Sequence, residues 1–381
     1  MGDQGHRLKI GLLVLGAFHL AWFCAARYPE IAGVSGVLLA DGTPAGGDFI
    51  NLWSAARLVL AGRAEEVYAV GPFMAFQGAV TDGADIGLRL WAYPPQSLLL
   101  AWPFGFLGYY FALATWSVIG LAVLFAGARR FGFDRLETAV ILTSPATVLN
   151  LYFGQTGSFA TGLLLLALSA RSVRDPISVT AAVLLTIKPQ AGFLLPLLWT
   201  FQRRWQLIVL TTNAVLAFAL LAAGVFGLGA WRDYLGDTLP ALSALEREGS
   251  GPFMEMIPSV FMAGRILMGD SSSAIMLHAG FAIAVASVLV FRLWRVEDPD
   301  RRVAMILLAT VLLTPYLHNY DLALLLCGAL LVARHRRQVH AAFQGDSLVL
   351  VAWALPQLVV LLNASGMPLS PLLILPLLFL A

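Results

Sequence analysis

The stretch ISVTAAVLLTIKPQAGFLLPLLWTF, residues 177–201, decides how this chain is to be read. One apolar run reaches Ile187, Lys188 and Pro189 interrupt it, and a second run continues to Phe201. Neither run has the roughly 20 residues that a perpendicular membrane crossing needs. A helix that stops at membrane depth is tolerated only where protein buries it or where it lines a cavity. A lysine at such a place costs about 3 kcal/mol unless it snorkels or meets an anion. The chain has only two lysines, and the other, Lys9, sits where a basic flank belongs. Two readings of Lys188 stand: a helix-end lysine reaching the headgroups, or a cation for a phosphate. Pro189 restricts the residue before it and frees backbone groups, which suits a broken helix aimed at a ligand.

The rest of the chain repeats the pattern. Of 381 residues, 59% are hydrophobic and 12% charged, where soluble domains carry about 25% charge. Candidate membrane helices fall at 10–26, 109–128, 136–151, 158–170, 177–187, 190–201, 207–227, 273–294, 303–315, 322–333, 348–362 and 371–381. The first is read as an uncleaved helix rather than a signal peptide, because many spans follow it. The expected fold is all-α: a polytopic bundle of about 10–12 transmembrane helices, forming a single integral membrane domain over 1–381. A formal charge of +2 without a basic tail argues against a nucleic-acid partner. Cys24 and Cys327 both lie in apolar runs and suggest neither a disulfide framework nor a metal site. No pair of acids or histidines stands at ligand spacing and no glycine-rich nucleotide loop occurs, so no metal and no cofactor is expected.

Basic connectors such as GHRLK, ARRFGFDR, QRRW and RLWRVEDPDRR mark one face as cytoplasmic. The twelve helices alternate consistently if 94–107 does not cross and forms a re-entrant or interfacial helix. The polar stretches then gather on the non-cytoplasmic side: a first long loop at 27–93, YFGQTG at 152–157, KPQ at 188–190, a second long loop at 228–272, and TPYLHNYD at 314–321. Such asymmetry suggests a polar cavity opening on that side.

In GGDFINLWSAARLVLAG, residues 46–62, apolar residues after Asp48 recur at helical spacing, and Gly62 closes the run. This reads as an amphipathic interfacial helix. For Asp48 the local pattern favours an N-cap; the sharper reading is a general base beside Arg57. His318 fits a phosphate ligand or a proton shuttle, while its tyrosine neighbours fit an interfacial aromatic belt with Asp321 as a cap. Gln155 and Thr156 offer neutral hydrogen bonds within what is otherwise a tight glycine turn. Tyr93 reads as a belt residue.

Taken together, several motifs resemble one family. GDFINLWSAARLVLAGRAEEVY, YPPQSLLLAWPF, GQTGSFATGLLLLAL, TIKPQAGFLLPLLW and TPYLHNYDLALLL, in this order, are similar to elements of glycosyltransferase family 87. The resemblance implies a GT-C fold in the inner or plasma membrane. It implies transfer of a sugar, often mannose, from a polyprenyl-phosphate donor to a lipid or glycan acceptor at a site on the non-cytoplasmic side. It makes Asp48 the expected catalytic base and Lys188 a donor-phosphate ligand. Arg57 and His318 are expected to assist at the phosphate. Tyr93, Gln155, Gln190, Asn319, Tyr320 and Asp321 are expected to bind substrate. Thr156 and Ser158 depart from the Asn that often follows Gly-Gln in the family. A flippase or transporter of a lipid-linked sugar is the alternative from another class, since it too would use broken helices.

Overall fold

A computed structural model describes residues 2–339 and 341–381; His340, at the end of a basic connector, lies outside them. The described residues form helices joined by turns, with only isolated bridges around Leu38 and no named strand. This is an all-α polytopic membrane protein. Helices Gly5–Ala32, Tyr109–Phe131, Trp205–Glu248, Ser271–Arg295 and Ala342–Ala364 are long and apolar enough to cross a membrane. They keep most of their surface on the outside of the protein: in Trp205–Glu248 only 6% of the most apolar window is buried. Side chains such as Phe18, Leu220 and Ile283 are largely exposed, as lipid-facing residues should be.

The other expected spans are shorter helices. The run at 136–151 breaks at Ser144, which caps Pro145–Tyr152. The run at 190–201 divides into Pro189–Gly192 and Leu195–Phe201. At 1.5 Å per residue, Pro299–Leu313 is about 22 Å long, less than the roughly 30 Å hydrocarbon core. Its residues 303–312 are buried on every face, as are residues 323–333 of Ala323–Gln338. Short helices inside and long helices outside is the arrangement that lets lipid see only continuous helix. At one end, Lys9 bonds Asp134 at 2.6 Å and Glu137 at 3.0 Å, and Arg334 reaches the same Glu137.

The two long loops are themselves largely structured. The stretch at 228–272 is mostly helical: Trp205–Asp233 kinks at Gly227, where φ is +82°, a π-helical turn covers Tyr234–Thr238, and helices Leu239–Glu248 and Val260–Met268 follow. Gly227 has no Cβ and so admits a break that other residues resist. The helix Phe49–Leu60 forms where the spacing predicts, but most of it is buried, including Phe49, Ile50 and Leu58. It packs against Trp102–Phe106, so protein covers Leu52, Ala55 and Ala56 of the apolar stripe, while Val59 and Leu60 stay partly exposed. The segment at 94–107 is a chain of short helical turns.

Helices Tyr109–Phe131 and Gly157–Leu168 meet backbone to backbone. A Cβ on Gly127 would stand 2.3 Å from the Gly162 carbonyl oxygen, and one on Gly162 would stand 2.5 Å from the Val123 carbonyl oxygen. Close approach through small residues is the usual means of packing helices in lipid. Gly162→Ala should therefore destabilise the protein, although alanine gains about 1 kcal/mol of helix propensity over glycine. The obstacle is backbone, which cannot swing aside, and overpacking costs about 1–3 kcal/mol. Thermal unfolding in detergent should show a lower Tm; an unchanged or higher Tm would contradict the close crossing.

Candidate active site

Five interruptions of regular structure converge on one cavity of about 570 Å³. They are the entry to Phe49–Leu60, the irregular segment 88–93, the turn at 154–156, the break at Lys188, and the turn at 314–321. Helix Leu239–Glu248 closes part of it.

Glycines let the first and third of these meet. Gly46, Gly47 and Gly154 have φ of +76°, +53° and +57°. A Cβ on Gly154 would lie 2.5 Å from the Phe49 Cβ and 2.6 Å from the Gly46 carbonyl. The Asp48 N–H donates to the Phe153 carbonyl at 3.2 Å. Asp48 is thereby delivered beside Gln155, whose amide donates to Oδ2 at 2.5 Å, while Arg89 donates to Oδ1 at 2.6 Å.

The capping reading of Asp48 fails here. Its side chain makes no bond to the helix it precedes, and its φ and ψ of −77° and 0° are not the extended values of an N-cap. The cation beside it is Arg89, not Arg57. Arg57 follows Asp48 by nine residues, about two and a half helical turns, which turns it to the opposite face. There it donates to the Gly105 carbonyl at 3.2 Å and lies over the Trp53 ring. Arg57 is not among the residues lining the cavity.

Lys188 is 6% exposed and so does not snorkel. Its Nζ donates to Asp321 Oδ1 at 2.5 Å, and Asp321 is also buried. The anion that the sequence reading sought in a substrate is supplied by the chain itself. Asp321 is spent on this pair and caps no helix. Tyr320 flanks it, with Lys188 Nζ 5.7 Å from the ring centroid. His318 stacks flat on Tyr320 at 5.0 Å with planes 5° apart. Gly157 makes room for this corner: a Cβ there would stand 2.6 Å from the Tyr320 carbonyl and 2.9 Å from Asp321 Oδ1.

Tyr93 shares a 2.9 Å hydrogen bond with Thr156. Burial raises its phenol pKa, with the Asp321 and Asp48 charges adding to the rise. Gln190 lines the cavity from its exposed side. Asn319 is turned away: its amide donates to the Pro356 carbonyl at 2.9 Å, which ties the turn to helix Ala342–Ala364. The structure thus gathers Asp48, Tyr93, Gln155, Lys188, Gln190, His318, Tyr320 and Asp321 and leaves out Arg57 and Asn319. Sequence reasoning missed Arg89 and Glu246, which also line the cavity. The one signal for Arg89 was its place four residues before the Tyr-Pro-Pro motif.

Among the described residues, no three His, Cys, Asp or Glu side chains stand together as metal ligands would. The cavity wall instead carries two carboxylate–cation pairs, Asp48–Arg89 and Lys188–Asp321, beside aromatic surfaces. Such a wall can hold hydroxyl groups, orient a proton acceptor and face an anion with cations.

Fold and cavity define an integral membrane protein with a charged chamber among its broken helices. The family model for glycosyltransferase family 87 matches residues 91–315, more than half of the chain, and the protein belongs to that family. It is a membrane glycosyltransferase. The matched segment holds Tyr93, Gln155, Lys188 and Gln190, while Asp48, His318, Tyr320 and Asp321 lie outside it. No curated protein and no solved structure matches the chain.

Two predictions follow from the charges. Lys188→Met leaves Asp321 buried without a counter-charge, and breaking a buried pair costs about 3–5 kcal/mol. Its Tm should fall sharply, and Asp321→Asn added to it should restore most of the loss. Equal Tm values for Lys188→Met and the parent would contradict the buried pair.

Burial pushes the His318 imidazole down to about 4 from its ordinary 6.5. Between these values the unfolded chain binds a proton that the folded chain refuses, so stability falls as pH drops from about 6.5 toward 4. Above that window the contribution is complete. His318→Gln should flatten this part of the Tm–pH curve; an unaltered slope would show that the imidazole is not held neutral.

Proposed function

We propose that this transferase is of the GT-C type and moves a sugar from a polyprenyl-phosphate donor to a hydroxyl of a lipid or glycan acceptor. In this reading the cavity opens on the non-cytoplasmic side, as the basic connectors suggest. Mannose is the sugar the family resemblance favours. One observation carries the assignment of the base: the Asp48 carboxylate has a partner on each oxygen, caps nothing, and keeps 43% of its side chain open toward the cavity.

The reaction follows from that placement. Each carboxylate oxygen has a second lone pair beyond the one that Arg89 or Gln155 occupies. Asp48 takes the proton of the acceptor hydroxyl as its oxygen attacks the anomeric carbon of the donor sugar. The carbon–oxygen bond to phosphate breaks, and its electron pair leaves with the polyprenyl phosphate. Arg89 and Lys188 are the cations on the wall that face the developing charge. Each already meets a carboxylate, so the phosphate competes with Asp48 and Asp321 for them. His318 serves as a neutral hydrogen-bonding group, and Arg57 has no part. Tyr93, Gln155, Gln190 and Tyr320 hold the sugars by hydrogen bonds and ring faces, while Asp321, spent on Lys188, positions that cation.

The test is transfer by the purified chain in liposomes supplied with radiolabelled polyprenyl-phosphate sugars. Asp48→Asn keeps the shape and removes the base. Turnover should fall by about 10²–10⁴-fold, the usual contribution of a positioned base, with Tm near that of the parent. Near-normal transfer by the Asn variant would remove Asp48 from the mechanism.

A further inference from the structure

The charges on the cavity wall do not balance. Three carboxylates, Asp48, Asp321 and Glu246, face two cations, Arg89 and Lys188. The first two carboxylates are paired; among the described residues no ion pair or hydrogen bond reaches the Glu246 carboxylate.

Glu246 is nonetheless firmly placed. Arg265 donates to its main-chain carbonyl at 3.1 Å and to the Gly249 carbonyl at 2.8 Å. Ser271 bonds the Arg247 carbonyl at 2.5 Å. Arg265 is thus occupied with backbone, and the end of helix Leu239–Glu248 is pinned. Arg247 leans on Ser243 at the exposed surface. Glu246 itself is half-buried, and Leu239, Leu242, Ser243 and Leu245 of its helix line the cavity with it. The Tyr316 phenol pKa is raised by burial and next by the Glu246 charge, so the acid acts on the same turn that carries His318 and Tyr320.

Burial raises the Glu246 carboxyl to about 7, against the pull of the Arg247 charge. Above that pH it is a carboxylate partly withdrawn from water, and such a group gains most from hydroxyl donors, which supply charge-assisted hydrogen bonds. A second anion beside it is repelled, and more strongly than in bulk water. The donor phosphate belongs near Arg89 and Lys188, so the surplus acid is left for the other substrate.

We propose that Glu246 is the acceptor-binding and specificity-determining residue: its carboxylate accepts hydrogen bonds from a neutral, polyhydroxylated acceptor and excludes phosphorylated ones. This rests on the transferase reading given above and adds the acceptor's charge class and the residue that selects it.

The probes are methyl α-mannopyranoside and methyl α-glucopyranoside with their 6-phosphates, bound to the full chain in lipid nanodiscs and followed by saturation-transfer NMR. Above about pH 7, where the Glu246 carboxyl is ionised, the parent should bind a neutral glycoside at least roughly tenfold more tightly than its phosphate, about the worth of one hydrogen bond to a charged group. Glu246→Gln should bring the two within a few-fold of each other, and Glu246→Asp, which keeps the charge, should restore most of the gap. Unchanged discrimination in Glu246→Gln, or a parent that binds no glycoside, overturns the assignment. The liposome transfer assay separates the two proposals. Lost transfer in Asp48→Asn with unchanged discrimination in Glu246→Gln keeps the transferase mechanism and rejects Glu246. Lost discrimination in Glu246→Gln with normal transfer in Asp48→Asn keeps the acceptor role and rejects the base.

Discussion

The buried pair between Lys188 and Asp321 is the constraint around which the rest is arranged. Each residue stands at a break between helices, and 133 positions separate them in the chain. A free charge there would be forced out toward water or neutralised. Joined at 2.5 Å, the two charges allow two helix breaks to face each other inside protein. Those breaks make the space that continuous helices would have filled.

The surrounding architecture shields that space from lipid. Long helices such as Tyr109–Phe131 and Ser271–Arg295 form the outer surface, where every backbone group must find its partner within the helix. Pro299–Leu313 and Ala323–Gln338 are buried along most of their length and carry the turn at 314–321 between them. Backbone contact at Gly127 and Gly162 draws Gly157–Leu168 inward. At its N-terminal end, Gly157 then admits Tyr320 and Asp321. Small residues in one region thus set the position of charged residues in another.

Asp48 is held by a second set of long-range contacts. Arg89 and Gln155 come from segments 41 and 107 residues away and take one oxygen each. The result is a carboxylate of defined orientation that remains open to the cavity, the disposition a proton acceptor needs. Glu246 contrasts with it, because its positioning comes entirely through main-chain contacts to Arg265 and Ser271. Among the described residues no ion pair or hydrogen bond reaches its carboxylate, in a chamber where the other charges are matched.

The sequence by itself determined the class of fold and which interruptions matter. Composition demands helices in lipid, and the short runs on either side of Lys188 announce a broken helix. The motifs that point to glycosyltransferase family 87 are local strings and can be read without coordinates. Helical spacing also located Phe49–Leu60, though not the protein that covers it. What only the tertiary structure decided is which charge meets which. Asp48 looked like a cap because capping is a local interaction visible within a few residues; its actual partners are distant. Arg57 looked adjacent in sequence but the helical turn carries it to the opposite face, and Asn319, inside a motif, turns toward Pro356. Lys188 could be recognised as needing an anion, but nothing in the neighbouring sequence names Asp321. Hydrophobic patterning is a property of short windows, whereas electrostatic pairing depends on distances of a few ångströms between segments that the chain order leaves far apart.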